Sequence, residues 1–109
     1  MQEIQEFIAF LEKERNDSPH TVKAYARDLE AFAAFCRDYY GGPWSWAGVD
    51  RLAVRGFLAA KQRRGLAKRS VARALSGLRT FYLFLNATRG LEVNPARARR
   101  TPKLDKTLP

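Results

Sequence analysis

The chain has 109 residues, enough for one domain, and its 46% hydrophobic share excludes disorder throughout. Its 20 bases against 11 acids give a net charge of +9, and no stretch is long and apolar enough to span a membrane. A single cysteine, Cys36, excludes an internal disulfide framework, and a single histidine, His20, distant from it in sequence, makes no metal site.

Residues 2–15 carry Ile4, Phe7, Ile8 and Leu11 at i, i+3, i+4 and i+7, which predicts a short amphipathic helix. Its outer face is rich in glutamate (Glu3, Glu6, Glu12, Glu14), a poor contact for a polyanion and a better packing or partner surface. Asn16-Asp17 breaks it. Ser18 then offers an N-cap and Pro19 a first helical residue, predicting a second helix to about Tyr39. Val22, Tyr25, Leu29, Phe32, Ala33 and Cys36 form its apolar stripe, so Cys36 is expected as a small buried thiol. His20, Lys23, Ala24, Arg27 and Ala31 lie on the opposite arc, a low and positive face that suits a polyanion or plain solvent equally.

Gly41-Gly42-Pro43 stops the second helix, and Trp44-Ser45-Trp46-Ala47-Gly48 follows as a loop. Loop tryptophans can stack on bases or close the open end of a small core, and the core role is preferred. Asp50 caps a third helix over about 51–64, with Leu52, Val54, Phe57, Leu58 and the stem of Lys61 mostly inward. Gly65 suits a left-handed C-cap, and the last-turn cations Arg63 and Arg64 complement the helix dipole, their plain structural role.

Gly65–Leu85 is the most informative stretch. Wound as a helix, it gathers Val71, Ala74, Leu75, Leu78, Phe81, Tyr82 and Leu85 on one side. Arg69, Arg73, Ser76 and Thr80 line the other at i, i+4, i+7 and i+11, with Ser70 and Gly77 beside them. Guanidinium forks and hydroxyls among small residues suit close approach by a nucleic-acid groove. The pattern fades through 86–90. A short fifth helix near 91–99 is possible on the sequence, and the closing TPKLDKTLP reads as a linker cut short. The expected fold is all-α, a compact bundle of four main helices over 1–90, followed by a basic exit segment over 91–109.

Charge is distributed unevenly. Residues 1–17 hold five acids and two bases, whereas 61–80 hold seven bases and no acid, and 81–109 six bases and two acids. Such a field points to a polyanionic partner. Catalytic groupings are missing from the pattern: no Gly-rich phosphate loop, no carboxylate pair in an apolar surround, and four tyrosines (Tyr25, Tyr39, Tyr40, Tyr82) set within or at the ends of apolar helical patterns. The chain is expected to catalyse nothing by itself and to need no cofactor or metal.

Two segments carry a family likeness. Phe7–Phe35 holds an FL-x-x-E start, Ser18 and Thr21 as S-x-x-T, Tyr25, Asp28-Leu29 and Phe32. Arg69–Leu85 holds Ser70, Arg73, Leu75-Ser76, Leu78-Arg79 and Phe81-Tyr82, and Asn94-Pro95-Ala96 with Pro102-Lys103 to Leu108-Pro109 follow. In this order and spacing the chain resembles the amino-terminal core-binding, SAM-like domain of Xer-type tyrosine recombinases. One departure is Ala67, where relatives often carry a serine able to cap the fourth helix.

The resemblance implies one arm of a C-shaped clamp on half of a recombination site. The other arm, a catalytic domain with Arg, Lys, His-x-x-Arg and a nucleophilic Tyr, is not in this sequence, so the chain reads as a fragment of a recombinase. By the same resemblance the second and fourth helices face DNA. Arg69, Arg73 and Arg79 would reach phosphates or a guanine edge, and Ser70, Ser76 and Thr80 would donate to phosphate. Lys68, Arg63 and Arg64 would meet the strand at the start of the fourth helix. Thr21, Lys23 and Arg27 would hold the opposite backbone, and Arg97, Arg99, Arg100 and Lys103 would follow DNA toward the catalytic domain. Implied partners are double-stranded DNA and other protomers of a tetramer on two sites, with no membrane and no small molecule. The implied setting is cytoplasmic, at the nucleoid, in DNA integration or chromosome dimer resolution and segregation. A stand-alone helical nucleic-acid-binding protein, or an interaction module docking an acidic protein, stay open as alternatives. Because Arg69 and Arg73 are read on the outer face, replacing both with alanine is expected to cause a large loss of duplex binding and almost no loss of thermal stability.

Overall fold

The computed structural model describes residues 1–97. Four helices form in chain order: α1 (Gln2–Lys13), α2 (Pro19–Tyr40), α3 (Arg51–Arg63) and α4 (Lys68–Arg89), with a 3-10 turn at Trp46–Gly48 between α2 and α3. The all-α bundle expected from the sequence is what forms. Its starts follow local chemistry. The Ser18 hydroxyl accepts from the Thr21 N–H at 3.2 Å with Pro19 at the first helical position, and the Asp50 carboxylate accepts from the Ala53 N–H at 2.9 Å. Gly65, at φ +81°, turns the chain out of α3 in the left-handed region, where a Cβ would be strained.

α4 is the central element: α1, α2 and α3 all pack on it, α2 also meets α1 and α3, and α1 does not touch α3. The largest fully buried side chains are Tyr82, Phe7, Phe32 and Phe81. Phe81 lies edge-on to Phe7 at 5.3 Å and to Trp46 at 4.8 Å, so α1, α4 and the loop before α3 meet around one ring. Trp46 closes the core end as the sequence suggested: it is buried, the half-buried Trp44 stacks edge-on against it at 4.7 Å, and the Tyr82 hydroxyl donates to its carbonyl at 2.7 Å. Cys36 is buried as expected, and burial, with the Asp50 charge second, pushes its thiol up to about 12.

Several expectations are corrected. Leu52 does not point inward but is 61% exposed; Ala53 takes the buried place beside Val54 and Phe57. Leu52 instead lines a groove of about 460 Å³ between α3, α4 and residues 95–97, rimmed by Arg51, Arg55 and Arg97. Ala24, placed on the outer arc of α2, is buried. The fifth helix does not form over the described part of its span. Residues 91–94 are irregular and 95–97 turn. Side chains tie this segment back to the bundle: Asn86 donates to the carbonyls of Leu91 (2.7 Å) and Val93 (3.0 Å), Arg79 to that of Ala96 (3.3 Å), and Arg51 to that of Arg97 (2.7 Å). No helix among the described residues is long and apolar enough to cross a membrane.

Candidate nucleic-acid interface

The polar seam between α2 and α4 is built on Asp28. This carboxylate is 2% exposed in the middle of a helix, a position that costs free energy unless the charge is paired and hydrogen-bonded. It is. Arg73 of α4 donates Nε to one oxygen at 3.0 Å and Nη2 to the other at 3.3 Å. Lys61, from the last turn of α3, brings its ammonium to 3.7 Å while lying 5.2 Å over the Phe57 ring. Three helices therefore meet at one buried anion. One helical turn away the Tyr25 and Ser76 hydroxyls are 3.3 Å apart, and Gly77 lets the Tyr25 ring lie against α4, since a Cβ there would stand 3.0 Å from Tyr25 Cδ1.

This seam changes the reading of the Arg69, Arg73, Ser76, Thr80 stripe. Arg73, Ser76 and Gly77 meet α2, so the bulky partner for which the small residues make room is Tyr25. A two-faced helical wheel assumes burial from one side, whereas α4 is packed from three directions and its buried arc is wider. The expectation that losing Arg73 leaves stability untouched is therefore corrected: it would strip a buried carboxylate of its main partner. Arg79 likewise spends its Nε on the Ala96 carbonyl, and the Thr21 hydroxyl accepts from Ser18 Oγ at 3.1 Å within the α2 cap.

Around the seam stand cations with no carboxylate partner among the described residues. Lys23 and Arg27 are exposed on α2, Arg27 directly before Asp28; Arg63 and Arg64 follow Lys61 by two and three residues; Lys68 and Arg69 open α4 one turn before Arg73. Each pair lies within a few residues in sequence of Asp28, Lys61 or Arg73, which themselves converge. Ser70 and Thr80 are half-buried on α4. The start of α4 adds unspent donors, because its N-cap, Ala67, makes no side-chain hydrogen bond. Arg97 is exposed and lies away from this region, with its carbonyl held by Arg51. Arg99, Arg100 and Lys103 lie outside the described residues. Asp28 as the centre of the arrangement was missed by helical spacing; α2 also carries Glu30 and Asp38, and the one signal that set Asp28 apart was its place in the Asp28-Leu29 pair of the family likeness.

The described residues thus form a four-helix α bundle with exposed cations on α2, at the end of α3 and at the start of α4. The profile of the family described as phage integrase, N-terminal SAM-like domain, matches residues 4–89, and the chain belongs to this family. Among its relatives are proteins named tyrosine recombinase XerC. That of Syntrophus aciditrophicus is 37% identical over 97% of this chain and 36% of its own length, and that of Pelobacter propionicus 40% identical over 100% and 36%. That of Xylella fastidiosa strain M23 is 39% identical over 97% and 35%. The chain thus spans about a third of the length of the curated relatives it matches. No solved structure matches it.

Proposed function

We propose that this chain is the DNA-binding arm of a tyrosine recombinase and grips one half of a recombination site for a catalytic domain that cuts and rejoins strands. The observation that carries the reading is that α2, α3 and α4 meet at Asp28 through Lys61 and Arg73, and that the exposed cations Lys23, Arg27, Arg63, Arg64, Lys68 and Arg69, close in sequence to these three residues, have no carboxylate partner among the described residues. Such cations suit the regularly spaced charges of a duplex backbone. Most of these contacts position the arm and carry no sequence information, so binding is weak and strongly salt-dependent. Arg69, with Ser70 and Thr80 along the same helix, has the reach for a groove edge. Arg97 and the basic residues Arg99, Arg100 and Lys103 extend the contact toward the catalytic domain. The acidic face of α1, on which Glu6 is already paired with Arg89 at 2.8 Å, is the side offered to a neighbouring protomer. The Xer-type resemblance favours chromosome dimer resolution, in the cytoplasm, as the cellular setting.

Titration of a fluorescent duplex with the domain, at low and at moderate salt, tests the core of this reading. Affinity at low salt that falls steeply as salt rises supports it; no affinity at low salt sinks it. The recombinase parentage has its own test in the gene. A reading frame that runs on to His-x-x-Arg and a late Tyr supports it, and a stop codon after Pro109 removes it.

A further inference from the structure

We infer that Asp28 is a positioning residue for DNA binding: it fixes the Arg73 fork so that the outer edge of the guanidinium presents ready-aligned donors to a backbone phosphate. The inference rests on the DNA-binding reading above and adds to it a residue that touches no DNA. The Arg73 fork has five N–H donors, of which Asp28 takes one on Nε and one on Nη2. Three remain, two on Nη1 and one on Nη2, on the side turned away from the carboxylate. The Asp28 side chain is 3% exposed and that of Arg73 is 36% exposed, so an outside ligand can reach Arg73 but not the carboxylate. Lys61, 12% exposed and folded over Phe57, completes the carboxylate on its other side and offers little to an outside ligand.

The charge count supports an outside anion. Two cations share one carboxylate, leaving a surplus positive charge whose one accessible edge is Arg73. Arg27 precedes Asp28 on α2 and Arg69 stands one turn before Arg73 on α4, both exposed and without carboxylate partners among the described residues. A phosphate seated on Arg73 receives parallel N–H bonds from a fork whose side-chain freedom is already spent on Asp28, so little ordering cost is left for binding.

The sign of one substitution separates this from a merely structural ion pair. Asp28→Asn keeps the shape and raises the net charge, so long-range electrostatics alone would strengthen duplex binding. Positioning predicts the opposite. The folded variant should bind a duplex at low salt about tenfold more weakly, the worth of one charge-assisted hydrogen bond. Arg73→Lys, which keeps the charge and loses the fork, should weaken it similarly, and the double variant should add little more. Equal or tighter binding by either folded single variant overturns the inference. Should both variants unfold, side-chain nitrogen NMR of the wild-type domain decides. Arg73 Nε–H should stay protected from exchange while its Nη signals shift on adding duplex; loss of that protection, or unmoved Nη signals, overturns the inference. A wild-type domain that binds no duplex would instead defeat the DNA-binding reading itself, an outcome visible before any variant is made.

Discussion

Between Leu78 and Leu85, α4 is clothed in rings: Phe81 meets Phe7 and Trp46, and Tyr82 is anchored through its hydroxyl to the Trp46 carbonyl. Between Lys68 and Gly77 the same helix is met by polar groups, with Arg73 on Asp28, Ser76 on Tyr25, and Lys68 and Arg69 left to solvent. The later half supplies non-directional burial, which tolerates sliding and small repacking. The earlier half supplies directional bonds that set how α2 and α4 lie against each other. One helix thus holds the bundle together with its second half and shapes a charged surface with its first.

Substitutions that act on one half alone test this division. The largest effect belongs to the aromatic half: Phe81→Ala should cost about 3–5 kcal/mol in urea unfolding, with duplex affinity per folded molecule unchanged. A binding loss beyond the unfolded fraction would show that the halves are coupled. Next comes Arg27→Ala with Arg69→Ala, two exposed cations on the polar half. Duplex affinity at low salt should drop by about tenfold and the log–log salt slope should flatten by about two, while the melting temperature hardly moves. Gly77→Ala places a Cβ 3.0 Å from Tyr25 Cδ1, whose ring is pinned by the Ser76 contact. Helix propensity would gain about 1 kcal/mol and overpacking would cost more, leaving a net loss near ~1 kcal/mol in thermal unfolding. A net gain would mean that the α2–α4 spacing is soft.

The smallest effect is a stabilising one. Ala67 has φ −62° and ψ 148°, nearly the φ −65° and ψ 152° at which Ser18 caps α2. Ala67→Ser should therefore cap α4 and add about 0.5–1 kcal/mol, read as a rise of a few degrees in melting temperature. No rise would show that the first amides of α4 are already satisfied.

The aromatic half was legible from spacing, because apolar residues at helical intervals have one physical reason to line up. Caps were legible too: Ser18, Asp50 and Gly65 each act through chemistry local to a few residues. Errors fell where the outcome depended on a neighbour not adjacent in sequence. Leu52 fits an inward position by period, yet the core beside α3 is reached by Ala53 and Val54, and the register of α3 on α4 decides which. Arg73 looked solvent-facing because nothing on α4 announces Asp28, 45 residues earlier. Gly77 signalled a close approach correctly, but spacing could not name what approaches. Of the candidate contacts, Lys23, Arg27 and Arg69 are exposed as their outer arcs implied, Arg73, Ser76 and Arg79 are diverted to partners distant in sequence, and Thr21 is diverted to Ser18 within its own cap.

Cys36 has a practical consequence. A thiol fully enclosed by the core and held protonated far above neutral pH does not react while α2 stays seated. Alkylation at this lone cysteine therefore works as a clock on native-state opening, one modification per excursion and no background from a second thiol. Run with and without duplex, it would reveal whether gripping DNA at the charged side quiets breathing around the rings, a question of internal motion that binding curves do not reach.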